Sequence, residues 1–216
     1  APAQLGGGAC VDGAHGVVEL AHAPEAGGER HLGEREVSGL DQGARGLGAL
    51  RAGDIDMLFT CLPVAEPDLT VGPVVITEHR ALAVPVGHRF AGRTSLSFEE
   101  LAGETFFRVA GGAPAYWWDF HVPPRTPSGR EIRRGQAVAT FQELMTLVAT
   151  GQGVSPVIAS VETYYSRPDV VFVPVHDLPT ADVALVWRTG STGSRGDAFI
   201  RTVRDVLATN GGPASF

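Results

Sequence analysis

The sequence predicts an α/β fold, and three of its features support that prediction. Short apolar runs typical of strands alternate along the chain with segments of helical periodicity, a pattern that indicates βαβ units and a mainly parallel sheet. Two of the helical segments begin with a capping box, one at Ser97 and one at Thr140. Hydrophobic residues make up 44% of the chain, which is enough to fill a folded core.

Length and charge exclude several classes of protein. The 216 residues suit two small lobes or one large α/β domain. A formal net charge of −7 argues against nucleic-acid binding by this chain, because neutralising phosphates requires a basic face. No run approaches the ~18 apolar residues of a membrane span, and residues 1–10 lack the features of a secretory signal. Since the chain does not begin with Met, we expect a fragment or a processed form.

The first part of the chain contains weak elements followed by clear ones. Residues 5–11 predict a glycine-rich strand, residues 15–22 a weak helix and residues 35–37 a short strand. Four apolar residues then repeat at helical spacing: Leu40, Ala44, Leu47 and Leu50. Gly53 is a natural end for that helix. A buried strand is predicted to begin with residues 54–59 and to end at residues 61–63.

The middle of the chain predicts strands and an aromatic helix. Residues 73–86 hold one or two strands, and residues 106–109 a short one. Between them Ser97 serves as the N-cap of a helix, with Glu100 three residues later. The turn at residues 111–114 leads into a helix with three aromatic residues: Tyr116, Trp117 and Trp118.

The clearest helix follows Thr140 and ends at Gly151. It carries an apolar stripe at helical spacing: Phe141, Leu144, Met145 and Val148. Strands are predicted at 154–158, 170–175 and 183–187, with a short helix from Ser160. The last helix is predicted to bury five apolar residues: Phe199, Ile200, Val203, Val206 and Leu207.

Five stretches in order resemble the effector-binding domain of LysR-type transcriptional regulators. They are EVSGLDQ…LRAGDIDMLF (36–59), HRALAVPVGHRFAG (79–92), LSFEELAGETFF (96–107), TFQELMTLVATGQGVSPVIAS (140–160) and VVFVPVHDLPTADVALVWR (170–188). The resemblance covers the chain from about residue 31 onward. The loop LGGGACVDGAHG and the segment PEAGGE depart from the family pattern, so the alignment of residues 1–30 is left open.

The resemblance implies two Rossmann-like lobes joined by two crossover strands, similar to type 2 periplasmic binding proteins. Lobe I would comprise residues 1–72 plus 179–216, and lobe II residues 73–178. It also implies a cytoplasmic homodimer that senses a small-molecule effector, with DNA bound only through a winged helix-turn-helix that this chain lacks. In the intact protein the oligomer could be higher than a dimer.

Ligands of open parallel sheets bind beyond the carboxyl ends of the strands, where helix N-termini present free N–H groups. By the resemblance, the loops there and the crossover line the effector pocket: Asp12, Gly13, Ala14, His15, Cys61, Leu62, Pro63, Pro73, Ala110, Gly111, Thr140, Phe141, Ser155, Pro156 and Val157. Helix N-termini would favour a small organic anion, whereas Asp12 would oppose one. Thr140 could equally be a plain helix cap and Phe141 a core residue.

Two further groups of residues have roles predicted from their positions in the chain. Trp117, Trp118 and Phe120 either pack and shield the cleft or stack on an aromatic effector. The stretch LAVPVGHRFAG (82–92) is predicted to be scaffold, with His88 a surface turn residue.

Alternative functions have weaker support. No catalytic, metal or cofactor motif is recognised, and His15, His22 and His31 lack the spacing of a zinc site, so an enzyme is not expected. A bilobed transport receptor would require export. A redox sensor is open if Cys10 and Cys61 end adjacent strands, although both could instead be buried small residues.

Overall fold

The computed structural model describes residues 39–109 and 114–215. Its helices are α1 (Gly39–Ala52), the 3₁₀ helix Phe98–Gly103, α2 (Ala115–His121), α3 (Phe141–Ala149), α4 (Val161–Tyr164) and α5 (Ser194–Thr209). Its strands are β1 (Met57–Cys61), β2 (Leu69–Glu78), β3 (Arg80–Pro85), β4 (Thr105–Val109), β5 (Arg133–Val138), β6 (Ser155–Ile158), β7 (Val170–Pro174), β8 (Ala181–Arg188) and β9 (Ala214–Ser215). The α/β class is confirmed, and the elements predicted before residue 39 lie outside the described residues.

The first sheet has the strand order β1-β8-β2-β9. β8 lies antiparallel to both β1 and β2, and β9 lies parallel to β2. β2 begins at Leu69, four residues before the predicted start, and its register shifts around Gly72 and Pro73. A side chain at Gly72 would collide with the Trp187 ring, so this position requires glycine.

The second sheet is built around β3. β6 and β7 flank β3, and both pair with it in the antiparallel sense. β4 and β5 pair in parallel as a two-stranded sheet of their own. A single parallel bridge between Phe106 and Val154 links this pair to the residue before β6, so the pair extends the second sheet. Only His79 separates β2 in the first sheet from β3 in the second, so the chain passes between the sheets there.

The expectation of mainly parallel pairing is wrong for the strands next to the crossovers. β8 and β3 each lie between two strands that run the opposite way. The chain leaves the first sheet after β2 and re-enters it at β8, so the returning strand inserts with reversed direction. Helical connections favour parallel neighbours only for strands that follow one another within one sheet.

Buried residues form a layer on each side of the second sheet. Alternate residues of β3 point to opposite faces, as strand geometry requires. Leu82 and Val84 pack in one cluster with Phe106, whereas Ala81 and Ala83 pack in another with residues of α3. All four of these β3 residues are buried. Within the first sheet, Val186 of β8 packs in a cluster with residues of α1, whereas Leu185 and Trp187 pack with residues of α5.

Both predicted N-caps are present. At Ser97 the capping box is complete, although the element that it begins is a 3₁₀ helix. At Thr140 the side-chain oxygen accepts a hydrogen bond from Glu143 N (3.1 Å). The Glu143 carboxylate accepts from Ala139 N (2.7 Å) rather than from Thr140 N, so this box is shifted by one residue. Gly53 and Gly151 have positive φ angles of 85° and 73° and follow the helices that they were predicted to end.

Candidate functional site

A cavity of about 90 Å³ lies where the two sheets meet. Most of its lining is apolar: Phe107, Trp117, Trp118, Val122, Phe141, Leu144, Pro156, Val157, Ile158 and Val161. Four polar residues complete it: Cys61, Arg80, His121 and Ser155. Cys61 comes from the end of β1 in the first sheet, whereas most of the remaining residues belong to the second sheet and its helices. Apolar lining with a few polar groups is typical of small-molecule sites, although such sites are usually larger, about 300 Å³ or more.

Arg80 begins β3 and is only 3% exposed. Its Nη2 donates a hydrogen bond to the His121 carbonyl (2.7 Å) and its Nε to the Val157 carbonyl (3.4 Å). Its Nη1 is buried and has no hydrogen-bond partner among the described residues. Burial lowers the pKa of the guanidinium to about 10, so it still carries a full positive charge at pH 7.

His121 ends α2 and is 7% exposed. Its Nε2 lies 3.0 Å from the Leu62 carbonyl oxygen. Because a carbonyl only accepts, this hydrogen bond places the proton on Nε2 and leaves Nδ1 as an acceptor. Burial, and then the charge of Arg80, lowers the pKa of the imidazole to about 3, so the ring is neutral at pH 7.

Cys61 contributes a thiol rather than a thiolate. Burial, and then the carboxylate of Glu78, raises the pKa of the Cys61 thiol to about 11. Because the thiolate is the reactive form, this environment does not activate Cys61 as a nucleophile. Cys10 lies outside the described residues, and the redox alternative is not favoured.

Helix α2 docks against the loop that follows β1 through three side chains. Trp117 Nε1 donates to the Cys61 carbonyl (3.2 Å), and His121 donates to the Leu62 carbonyl. The Tyr116 hydroxyl donates to the Glu66 carboxylate, with oxygens at 2.9 and 2.8 Å. The helix therefore bridges the junction, because it follows β4 of the second sheet but binds a loop of the first.

The structure brings five of the predicted effector-binding residues together in the cavity lining: Cys61, Phe141, Ser155, Pro156 and Val157. Trp117 and Trp118, predicted as a shield or a stacking surface, also line it. Leu62 and Pro63 follow Cys61 in the docked loop, where Leu62 provides a carbonyl oxygen to His121.

Other predicted positions lie away from the cavity lining or outside the described residues. Pro73 lies at the irregularity of β2, and exposed Thr140 caps α3. Asp12, Gly13, Ala14, His15, Ala110 and Gly111 lie outside the described residues. His88 lies on the turn after β3, where its Nε2 is 3.3 Å from the Glu104 carboxylate.

Sequence reasoning missed Arg80 and His121. Arg80 directly precedes the stretch that was predicted to be scaffold, and a charged residue before an apolar run resembles an ordinary strand edge. The one available signal was that an arginine within a strand buried on both sides needs a partner. His121 had no local signal, because its partner Leu62 lies 59 residues away in sequence.

Within residues 39–109 and 114–215, no helix is long and apolar enough to cross a membrane. In the same part of the chain, no group of three or more His, Cys, Asp or Glu side chains could hold a metal ion.

The comparisons with known proteins agree with this architecture. The family described as LysR substrate binding domain matches residues 40–208. The HTH-type transcriptional regulator CatR of Pseudomonas putida is 30% identical over 150 residues, which cover 69% of this chain and 49% of CatR. This chain therefore spans about half the length of that relative.

Solved structures share the fold at low sequence identity. The LysR family regulator CbnR aligns with a TM-score of 0.61 and 19% identity, over 76% of this chain and 56% of CbnR. The BenM effector-binding domain with its effector benzoate aligns with a TM-score of 0.56 and 18% identity, over 77% of this chain and 76% of that domain. These neighbours have the type 2 periplasmic-binding-protein-like fold, so the predicted architecture is confirmed. The family match covers most of the chain, and the chain therefore belongs to the LysR substrate-binding domain family.

Proposed function

We propose that this chain is the sensor of a LysR-type transcriptional regulator and that its effector occupies the cavity at the junction of the sheets. The observation that carries the proposal is that one cavity is lined by residues of both sheets and contains a buried, incompletely paired guanidinium. The name of CatR, an HTH-type transcriptional regulator, supports the assignment of the whole protein. The DNA-binding part would lie outside this chain.

The effector would act by changing how the two sheets are held relative to each other. Helix α2 and the loop after β1 join across the cavity through Trp117 and His121. A ligand shifts such an arrangement only through its different affinity for the two states. Because the cavity is small, we expect that α2 and this loop must separate partly to admit a ligand.

In this proposal the residues predicted to bind the effector have one of three roles. Cys61, Phe141, Ser155, Pro156 and Val157 would contact the effector directly, since they line the cavity. Leu62 and Pro63 would act through the docked loop. Pro73, Thr140 and the remaining predicted positions stay assigned to the site on the resemblance alone.

The organisation of the whole protein is part of the same proposal. Lobe I comprises residues 1–72 plus 179–216 and lobe II residues 73–178; β7 lies in the second sheet and β8 in the first, which supports the second boundary. The protein is a cytoplasmic homodimer, with no cofactor and no enzymatic activity of its own. DNA contact occurs only through the domain outside this chain.

An experiment on the purified chain tests the proposal. Thermal-shift screening of small acids, amines and aromatic compounds should yield a ligand that raises the melting temperature. Ile158 is half-buried and lines the cavity, so Ile158→Trp should fill the cavity and abolish this thermal shift. Val86→Trp, on an exposed turn residue, is the matched control and should leave the response intact. A ligand response that survives Ile158→Trp in a folded variant, or no response to any compound, would contradict the proposal.

A further inference from the structure

Arg80 is the feature of the cavity that the fold alone does not explain. Buried side-chain donors nearly always have a partner, and an unpaired charged donor is more costly than a neutral one. Arg80 uses Nη2 and Nε on backbone carbonyls, which carry no net charge, while Nη1 has no partner in the described part of the chain. Within residues 39–109 and 114–215, the guanidinium therefore has no ion-pair partner.

Glu78, two residues earlier in the chain, is a candidate counterion. None of the ion pairs between described residues joins Glu78 to Arg80. The Glu78 carboxylate instead accepts a hydrogen bond from Ser160 N (3.0 Å). Glu78 does not line the cavity, whereas Arg80 does. The negative charge of Glu78 reaches the cavity at Cys61, but of these two charged side chains only the guanidinium is in position to contact a bound anion.

The other polar lining residues add no charge at pH 7. His121 is neutral and holds its proton on Nε2, and Cys61 is a protonated thiol. Among the described lining residues, Arg80 is then the one charged group. Electrostatic balance in a largely apolar cavity favours a ligand with a single negative charge, because a second, unpaired charge would be desolvated without compensation.

The start of α3 is the other place where an anion could be received, since Phe141 lines the cavity. That helix N-terminus already holds the Glu143 carboxylate, which accepts from Ala139 N, while Thr140 Oγ1 accepts from Glu143 N. A second ligand carboxylate there would face the negative charge of Glu143. The α3 terminus therefore does not favour a dicarboxylate.

The rest of the cavity fits a flat apolar body. Phe107, Trp117, Trp118 and Phe141 present aromatic rings to the cavity, and Leu144 adds an aliphatic surface. Aromatic rings of protein and ligand attract each other in stacked or edge-on arrangements.

We infer that the ligand is a monocarboxylate with a flat apolar body, whose carboxylate binds the Arg80 guanidinium at Nη1. The inference rests on the proposed function and specifies the chemistry of that site. Arg80 also binds the carbonyl of His121, whose ring binds the loop after β1. A carboxylate bound to Arg80 would thus act on the residue that links α2, through His121, to the loop of the first sheet.

The test is calorimetric titration of the 216-residue chain with three probes of one shape class: benzoate, benzamide and terephthalate. Benzoate should bind at least about 10-fold more tightly than benzamide, because a charge-assisted hydrogen bond from Nη1 is much stronger than a neutral one. Terephthalate should bind at least about 10-fold more weakly than benzoate, since its far carboxylate must be desolvated.

Variants locate the effect. Arg80→Gln should remove the preference for benzoate over benzamide, Arg80→Lys should retain part of it, and Arg133→Gln on the exposed β5 should leave it unchanged. If Arg80→Gln does not fold, as judged by circular dichroism, the three-probe comparison on the unmodified chain still decides. Equal affinity for benzoate and benzamide, or tighter binding of terephthalate, would overturn the inference.

The two proposals fail in different ways. A ligand whose binding is lost in Ile158→Trp binds in the cavity. If that ligand is neutral, or if its affinity does not depend on Arg80, this inference is overturned and the proposed sensor function is not. Absence of any ligand response would overturn both.

Discussion

Two polar clusters of this molecule, one around Glu99 and one around Arg80, both contain charged side chains that form hydrogen bonds, but the two clusters differ in whether the charges are paired. The Glu99 carboxylate accepts hydrogen bonds from Ser128 N (2.9 Å), Ser128 Oγ (2.6 Å) and Arg130 Nε (2.8 Å). Arg130 is a charged partner at the surface, so both charges in that cluster are paired. Arg80 is buried, and among the described residues it binds only carbonyls and has no partner for Nη1.

The difference separates a structural contact from a candidate site. A paired cluster stabilises the loop that it closes and offers nothing to a ligand. A buried charge without a counterion costs stability and is retained where something else supplies the missing partner. We therefore expect a substitution of Glu99 to change stability but not ligand binding, and a substitution of Arg80 to change ligand binding more than stability.

The largest effect should come from His121, which contacts Arg80. Its folded-state pKa of about 3 lies below the unfolded value of 6.5, so the unfolded chain binds more protons between these pH values. Stability contributed by neutral His121 is present above pH 6.5 and lost as the pH falls toward 3, by at most on the order of 5 kcal/mol. In His121→Phe, the free energy of unfolding should be about 1 kcal/mol lower than wild type at pH 7, because Leu62 loses its donor, and higher than wild type at pH 4.

Urea unfolding at the two pH values measures this crossing. Tyr164→Leu, at an exposed residue of α4, is the control and should follow the wild-type pH dependence. A His121→Phe variant that parallels wild type from pH 7 to pH 4 would contradict a neutral, buried imidazole.

A smaller effect is expected from the surface cluster. Hydrogen bonds from Ser128, and then from Arg130 and Thr126, lower the pKa of Glu99 to about 2 from 4.5. Stability from this carboxylate is thus present above pH 4.5 and lost as the pH falls toward 2. Glu99→Gln should lower stability at pH 7, flatten the acid limb of the stability curve and leave the affinity for benzoate unchanged. A changed affinity for benzoate in Glu99→Gln would contradict the distinction between a structural cluster and a ligand-binding one.

The smallest effect on stability should come from Arg80→Met. The substitution removes the cost of a buried charge but leaves the carbonyls of His121 and Val157 without this donor. Because the two effects oppose each other, the free energy of unfolding should stay within about 1 kcal/mol of wild type. Benzoate binding should nevertheless be lost, as calorimetry would show. A loss of several kcal/mol, measured by urea unfolding, would instead indicate that Arg80 is a structural residue.

The sequence predicted the elements whose signal is local. The stripe from Phe141 to Val148 is buried as expected, and Gly53 and Gly151 follow the helices that they were predicted to end. The strand Arg133–Val138 was missed because its residues are mostly exposed and polar and show no apolar run. Pairing direction was also missed, since it depends on the return of the chain to the first sheet at β8.

The site was only partly predictable for the same reason. The rule that ligands bind at strand ends pointed to Cys61, Phe141 and Ser155, which the structure brings to one cavity. Arg80 gained its significance from His121 and Val157, which lie 41 and 77 residues away. Contacts at such separation follow from the packed fold and leave no local pattern in the sequence.

A crystal structure of the chain soaked with benzoate is the measurement that bears most directly on the sensor assignment and on the role of Arg80. We expect the ring to lie between Trp117 and Phe141 and the carboxylate to lie within hydrogen-bond distance of Arg80 Nη1. Benzoate bound elsewhere, with the cavity closed and Nη1 satisfied by the protein itself, would contradict it.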